Sequence, residues 1–182
     1  MYGVINKSLK DMIIEQFGVE RWTSILSRSG IPADSFLSLR SYDDERTYAL
    51  AQACADELQI PLGAALKSFG EHWVQRTLDN EYSALVNSAG AHLVEFLENL
   101  NALHDKMAST FADYQPPSFD VESLPGSMIS IMYTSQRHGL TAFVEGLLLA
   151  LARRFNQGMD IVGIEPQKVQ FGEQTRFMLR LH

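Results

Sequence analysis

A stripe of apolar residues recurs every three or four positions between Ala91 and Phe111, and this spacing predicts a long amphipathic helix. The stripe consists of Leu93, Leu97, Leu100, Leu103, Met107 and Phe111. His104 falls on the same stripe, so its imidazole is expected to point into the core. An inward imidazole needs a metal to coordinate or a hydrogen-bond partner, because an unsatisfied buried polar group costs about 1–3 kcal/mol.

Helical periodicity also covers the chain before this stretch. It predicts helices over residues 5–17, 19–29, 42–58, 62–78 and 82–88. The boundaries fall at Gly18, at Gly30 and at Pro61, which are residue types that end or interrupt helices. The first half of the chain is therefore predicted to be helical.

The pattern changes to alternation after Pro116 and Pro117, which end the helical region and favour an extended backbone. Strands are predicted around residues 119–121 and over residues 128–135, 160–171 and 175–181. A helix is predicted over residues 139–155, and Pro125-Gly126 has the composition of a type II turn. The predicted fold class is α+β, with a helical N-terminal half packed on a C-terminal four-stranded antiparallel sheet and an intervening helix.

Composition and charge narrow the classes of function. The chain has 182 residues, 46% of them hydrophobic, which is enough for one substantial core. Its formal net charge of -7 argues against a nucleic-acid ligand and leaves open a basic protein partner. The single cysteine, Cys54, excludes an internal disulfide and a cysteine-rich metal site. The sequence lacks a signal-peptide pattern and an apolar run that could span a bilayer, so we expect a cytoplasmic protein.

Three polar residues lie two apart at the end of a predicted strand. Tyr133, Ser135 and Arg137 project to one face if the strand continues to Arg137. Two hydroxyl groups and a guanidinium in a row suit an anionic carboxylate or phosphate, to which arginine donates paired hydrogen bonds. The alternative is a half-exposed strand end with a surface arginine, and spacing alone leaves both interpretations open.

His104 also has two interpretations. A single histidine on an apolar face is commonly a core residue bonded to a backbone carbonyl. A zinc site normally takes three or four protein ligands, and no second ligand stands at the right spacing within this helix. A cofactor that supplies its own four nitrogens, however, needs one imidazole from the protein. The sequence shows no phosphate loop, nucleophile elbow or pair of catalytic carboxylates.

Taken together, these features resemble the H-NOX family, the haem-nitric oxide/oxygen binding domains related to the sensor domain of soluble guanylate cyclase. The resemblance rests on the opening Met1-Tyr2-Gly3-Val4-Ile5-Asn6, the helix with His104, Pro116-Pro117, and Tyr133-x-Ser135-x-Arg137. It implies a single H-NOX domain over residues 1–182, with a mainly distal helical subdomain over 1–60 and a proximal α/β subdomain over 61–182. Haem b, iron protoporphyrin IX, would be buried between the two.

The resemblance also implies roles for individual residues. His104 would be the proximal ligand of the haem iron, and Pro117 would press on the porphyrin and distort it. The haem propionates would be held by Tyr133, Ser135 and Arg137. Further residues would form the distal wall, namely Ile5, Leu9, Trp73 and Val74.

Members of the family that hold O₂ resemble one another in having a tyrosine in the helix after the triplet. Here residues 140–144 read LTAFV, and no tyrosine follows Tyr133. An apolar distal pocket does not stabilise charge on bound O₂, whereas NO binds ferrous haem without such help. We therefore expect binding of NO and CO and no stable O₂ complex, although Thr141 or Trp73 could supply a substitute donor.

The resemblance implies a sensor without catalysis of its own that regulates a separate signalling protein. In bacterial relatives this partner looks like a histidine kinase or a cyclic-di-GMP enzyme. Three alternatives stay open at this point: a non-haem α+β interaction module, an O₂-binding haem sensor, and a haem enzyme of the peroxidase kind. The sequence argues against the enzyme, because it shows no distal acid–base pair.

Overall fold

The structure is a computed structural model and describes residues 1–32, 34–78, 82–109, 111 and 113–182. Its helices are α1 Gly3–Ser29, α2 Asp44–Leu58, α3 Leu62–His72, α4 Ser83–Ala89, α5 Leu93–Glu98, α6 Leu100–Ala108 and α7 Thr141–Arg154. A π-helix, Trp73–Leu78, continues α3. The strands are β1 Ser118–Leu124, β2 Met128–Ser135, β3 Met159–Pro166 and β4 Glu173–Leu181. No helix among the described residues is long and apolar enough to cross a membrane.

Helix α1 is interrupted at Gly18, where the sequence predicted a helix boundary. Gly18 has φ 86° and ψ 168°, a conformation that glycine adopts without a steric penalty, and it separates two helical segments within α1. The connection between α1 and α2 contacts the start of the chain, since Ser41 forms an isolated antiparallel bridge with Tyr2.

The predicted central helix is divided into two helices. Asn99, with φ -89° and ψ -2°, separates α5 from α6, and its Nδ2 donates to the carbonyl of Ala89 at 2.9 Å. The prediction of one uninterrupted helix was wrong at this residue. The interruption is slight, because the N–H of Asn99 still donates to the carbonyl of Glu95 at 3.1 Å and its carbonyl accepts from the N–H of Leu103 at 3.0 Å. The predicted helix reached Phe111 through Thr110, which lies outside the described residues.

The sheet has strand order β1-β2-β4-β3, and each neighbouring pair is antiparallel. The α+β class with a four-stranded antiparallel sheet is therefore confirmed. Gly126 takes the positive φ expected of the turn, 75°, and Ser127 adds a second one of 57° that the sequence did not indicate. The third strand ends at Pro166 and not at Phe171, because proline has no N–H for the ladder.

Two hydrophobic clusters form the core. The first fills the space between the sheet and helices α4, α5 and α7, and includes Leu97, Ile131 and Phe177, each with an exposed fraction of 0%. The second lies among α1, α2 and α3, and includes Ile13 and Leu50. Both clusters contribute side chains to one cavity, which lies where they meet.

Candidate functional site

The cavity has a volume of about 290 Å³, near the lower end of the range of about 300–1,000 Å³ for small-molecule sites. Most of the side chains that line it are apolar. They include Ile5, Leu9, Leu66, Phe69, Trp73, Leu100, Leu103, Met107, Phe119, Phe143 and Leu147. A cavity with these walls suits a ligand whose body is largely apolar.

The apolar stripe that predicted the central helix faces this cavity along α6. Leu93 and Leu97 of α5 are packed in the solid core, with exposed fractions of 2% and 0%. Leu100, Leu103 and Met107 of α6 instead line the cavity, and His104 lies among them. The inward direction predicted for His104 thus places its imidazole at the cavity wall.

The hydrogen bonding of His104 fixes which of its nitrogens has a lone pair. Nδ1 lies 3.1 Å from the carbonyl oxygen of Pro117, which can only accept, so Nδ1 carries the proton and donates. Within the described part of the chain, Nε2 has no hydrogen-bond partner. In this tautomer the second nitrogen of a neutral imidazole has a lone pair that can bind a metal, and the bond that the first nitrogen makes orients the ring.

The surroundings of His104 keep it neutral. Burial lowers the pKa of the imidazole below its usual value, and the hydrogen bond to Pro117 opposes this shift without reversing it. The rings of Phe119 and Tyr114 pack against it, with centroids at 6.0 Å and 6.2 Å. Asn101 ties the same helix to β1, because its Nδ2 donates to the carbonyl of Phe119 at 2.9 Å and its Oδ1 accepts from the N–H of Phe119 at 2.8 Å.

The predicted triplet also lines the cavity, and Tyr133 packs against the same Phe119 ring as His104, with centroids at 5.4 Å. Tyr133 and Ser135 of β2 point inward, with exposed fractions of 1% and 7%. The strand ends at Ser135, but Arg137 still reaches the cavity because its backbone N–H donates to Ser135 Oγ at 3.0 Å and folds the chain back. Burial raises the pKa of Tyr133 to about 12, so its hydroxyl stays a neutral donor, and the side chain of Ser135 is hydrogen-bonded to it.

Two contacts hold the guanidinium of Arg137. Nε donates to Asp44 Oδ2 at 2.7 Å, and Nη1 donates to the carbonyl of Gln115 at 2.7 Å. A guanidinium has five N–H groups, so these two bonds leave others for an anionic ligand. Arginine in a fixed orientation with unused donors is suited to bind a carboxylate.

Asp44, at the start of α2, joins this network to the beginning of the chain. Its Oδ1 accepts from the α-amino group of Met1 at 2.5 Å, while Oδ2 accepts from Arg137. Burial alone would raise the pKa of the Asp44 carboxyl, but the hydrogen bonds and charges of the Met1 amine and Arg137 together lower it. The carboxylate is therefore ionised and orients Arg137.

All but one of the residues predicted for the site line the cavity. Those that line it are His104, Tyr133, Ser135, Arg137, Pro117, Ile5, Leu9 and Trp73. Val74 does not, and packs with an exposed fraction of 0% in the cluster next to the sheet. Thr141, considered as a substitute donor, also lies outside the cavity lining, and its hydroxyl is bonded to Glu173 and to Thr175.

Sequence reasoning missed part of the polar wall. Asp44 lies in the first turn of α2 behind the cavity lining, and its role as the partner of Arg137 could not be inferred from spacing. Tyr48, one turn later, lines the cavity and donates to the carbonyl of His138 at 2.9 Å. Tyr114, two residues before the prolines, also lines it.

These residues fit a planar cofactor that brings its own metal. Among the described residues, no group of three or more His, Cys, Asp and Glu side chains could hold a metal ion. A metal at His104 would therefore need its remaining ligands from a cofactor. The apolar walls suit a macrocycle, and Arg137 with the two hydroxyl groups suits its acidic arms.

Comparisons with known proteins decide the family. The model of the family HNOB, described as Haem-NO-binding, matches residues 2–162. The chain belongs to this family. The resemblance to H-NOX domains is thereby confirmed, and with it the class of haem-binding gas-sensor domains related to soluble guanylate cyclase. The H-NOX domain is a sensor without catalysis of its own, although several of the relatives are guanylate cyclases.

The sequence relatives are longer than this chain. Soluble guanylate cyclase gcy-32 of Caenorhabditis elegans is 27% identical over 157 residues, which make up 85% of this chain and 23% of that protein. Guanylate cyclase soluble subunit beta-2 of Rattus norvegicus is 37% identical over 92 residues, 50% of this chain and 14% of that protein. The chain thus spans about a quarter or less of these relatives.

Solved H-NOX structures share the whole fold. The H-NOX protein from S. oneidensis in the Fe(II)NO ligation state has a TM-score of 0.84 at 21% identity, covering 100% of this chain and 99% of that one. A mutant of T. tengcongensis H-NOX has a TM-score of 0.87 at 15% identity, covering 100% and 97%. At these identities, the likeness shows the fold.

Proposed function

We propose that this H-NOX domain senses NO through a b-type haem ligated by His104. The observation that supports this best is the imidazole itself, which faces an apolar cavity with Nε2 unpaired among the described residues. Tyr133, Ser135 and Arg137 would hold the haem propionates, and Pro117 would contact the porphyrin. When bound, haem supplies a ferrous iron that takes NO and CO with high affinity.

The apolar wall that α1 and α7 contribute would exclude water from the cavity and shape it without placing a charged group there. Ile5 and Leu9 of α1 and Phe143 of α7 belong to this wall. A wall of this kind does not stabilise charge on bound O₂, so we expect no stable oxy complex. NO and CO need no such stabilisation.

The contacts of His104 suggest how a signal would leave the site. Because His104 donates to the carbonyl of Pro117, and Asn101 bonds both polar groups of the Phe119 backbone, α6 is fixed to the start of β1. A displacement of His104 is therefore expected to move Pro117 and the edge of the sheet with it. Two states of this connection are what a gas-dependent switch requires.

The domain organisation and the partner are also proposals. We propose one domain with a distal helical part over residues 1–60 and a proximal α/β part over 61–182. The helical core also includes Leu66 and Phe69 of α3, which favours moving this division to about residue 70. We further propose that the signal is read by a histidine kinase or a cyclic-di-GMP enzyme. The cyclases that the chain matches extend far beyond the matched region, which supports a reader outside these 182 residues.

An O₂ sensor is the second candidate, and one observation favours it. Trp73 lines the cavity, and its indole N–H has no hydrogen-bond partner among the described residues. An indole N–H is a donor that could stabilise bound O₂. A ferrous sample in air distinguishes the candidates: a stable oxy spectrum that is lost in Trp73→Phe would support the O₂ sensor and contradict the NO-selective one.

The decisive experiment follows the absorbance of the purified ferrous protein during an NO titration. We expect an intense Soret band in the wild-type protein and its loss or alteration in His104→Ala. The matched control is His92→Ala, since His92 is exposed next to α5 and does not line the cavity. An unchanged ferrous and nitrosyl spectrum in His104→Ala would overturn the proposal, and a colourless wild-type protein that takes up no haem would favour the interaction module.

A further inference from the structure

Tyr114 stands at the cavity between His104 and the triplet, and the site proposed above does not use it. It belongs to the turn after α6, where its N–H donates to the carbonyl of Phe111 at 3.0 Å. Its ring lies edge-on to the imidazole of His104 at a centroid distance of 6.2 Å, and 6.4 Å from the ring of Tyr2. These contacts fix the ring, and with it the position of the hydroxyl.

The hydroxyl of Tyr114 has no hydrogen-bond partner in the part of the chain that the structure describes. Two other tyrosines at the cavity differ in this respect: Tyr48 donates to the carbonyl of His138, and Tyr133 is bonded to Ser135. Tyr114 therefore has an unused donor at the edge of a ligand cavity.

The charge around Tyr114 indicates what this donor would meet. Its neighbour Gln115 accepts a hydrogen bond from Nη1 of Arg137 at 2.7 Å, so the backbone next to Tyr114 is in direct contact with the guanidinium. The positive charge of Arg137 acts on Tyr114 directly. The phenol is thus a donor close to the guanidinium, whose charge attracts an anion to this place.

We propose that Tyr114 is a further donor to the anion site of Tyr133, Ser135 and Arg137, and that it binds a carboxylate of the cofactor. The proposal rests on the function proposed above and adds a residue to it. A phenol that donates to a carboxylate makes a charge-assisted hydrogen bond, which is stronger than one between neutral groups. The bond should be lost when the carboxylate is esterified.

The test compares two cofactors in the full chain. Haem b and its dimethyl ester, which has no ionised carboxylate, are loaded separately into the wild-type protein and into Tyr114→Phe. The rate of cofactor loss to an excess of apomyoglobin is then measured. We expect Tyr114→Phe to accelerate the loss of haem b by about tenfold, the size of one charged hydrogen bond, and to leave the loss of the ester unchanged.

Tyr42→Phe is the matched control, because the hydroxyl of Tyr42 donates to the carbonyl of Asp34 and the residue lies outside the cavity lining. Its rates should equal those of the wild-type protein for both cofactors. An equal acceleration of haem and ester in Tyr114→Phe, or no acceleration of either, would overturn the role of Tyr114 alone. Failure of the wild-type protein to bind either cofactor would overturn the haem proposal itself, and the two outcomes are distinguishable.

Discussion

The substitution Gly146→Ala tests how closely α3 and α7 must approach. A Cβ placed on Gly146 would lie 2.0 Å from the carbonyl oxygen of Lys67 and 3.1 Å from the N–H nitrogen of Glu71. The contact is reciprocal, since a Cβ on Gly70 would lie 2.2 Å from the carbonyl oxygen of Phe143. Backbone atoms cannot rotate away as side chains do, so the two helices would have to separate.

The geometry sets the size of the effect. An ordinary contact begins at 3.4 Å, so relieving the clash at Lys67 requires the backbones to move apart by about 1.4 Å. Overpacking costs about 1–3 kcal/mol, and a rigid backbone neighbour places this site near the upper end. Alanine regains about 1 kcal/mol of helix propensity over glycine. The net loss is about 2 kcal/mol, or a fall in Tm of about 4–8 °C for a chain of this length.

The assay is thermal and urea unfolding of the purified protein, with Gly63→Ala as the control. A Cβ on Gly63 in the same helix pair would lie 3.8 Å from the Cβ of Ala142, an ordinary contact, so this variant should be no less stable than the wild-type protein. A Gly146→Ala variant as stable as Gly63→Ala would refute the close approach of the two helices. It would also refute the position of the cavity wall, because Phe143 and Leu147 reach the cavity from this crossing.

Three further predictions concern the polar contacts around the site. Asn101→Ala leaves both backbone groups of Phe119 without their partner, and we expect a loss of about 1–3 kcal/mol in urea unfolding. Asp44→Asn removes the charge that orients Arg137, so cofactor loss to apomyoglobin should become faster, and an unchanged rate would count against that orienting role. Burial lowers the pKa of His72, so the unfolded chain binds its proton first as the pH falls. The stability that the neutral His72 contributes is therefore present above about pH 6.5 and is lost as the pH falls towards the lower pKa of the folded state. Thermal melts from about pH 7.5 to about pH 5.5 should show a flatter dependence of Tm on pH in His72→Gln than in the wild-type protein.

The features that could be predicted from the sequence are those encoded locally. The stripe on α5 and α6 repeats with the helical period, and the alternation in β2 repeats with the strand period, so each identifies its inward face without reference to the rest of the fold. His104 and Tyr133 follow from these patterns because each lies on an inward face. The confirmed family match adds a second signal, which is the spacing in sequence between His104 and Tyr133.

The features that were missed depend on residues distant in the sequence. The ion pair of Arg137 and Asp44 joins positions 93 apart, and no local pattern records it. Trp73 and Val74 were both assigned to the cavity. In the structure Trp73 lines the cavity, whereas Val74 is buried in the hydrophobic cluster next to the sheet.

The size of the cavity bears on whether His104 is a core residue or a ligand. The cavity has a volume of about 290 Å³, and most of the side chains that line it are apolar. Large apolar residues such as Leu103, Met107 and Phe143 surround this space without filling it. A histidine buried for packing alone would be surrounded by side chains, as Leu97 is. His104 contacts Phe119 and Tyr114 on one side, but its Nε2 has no partner among the described residues and its side chain lines a cavity that an apolar ligand would fill.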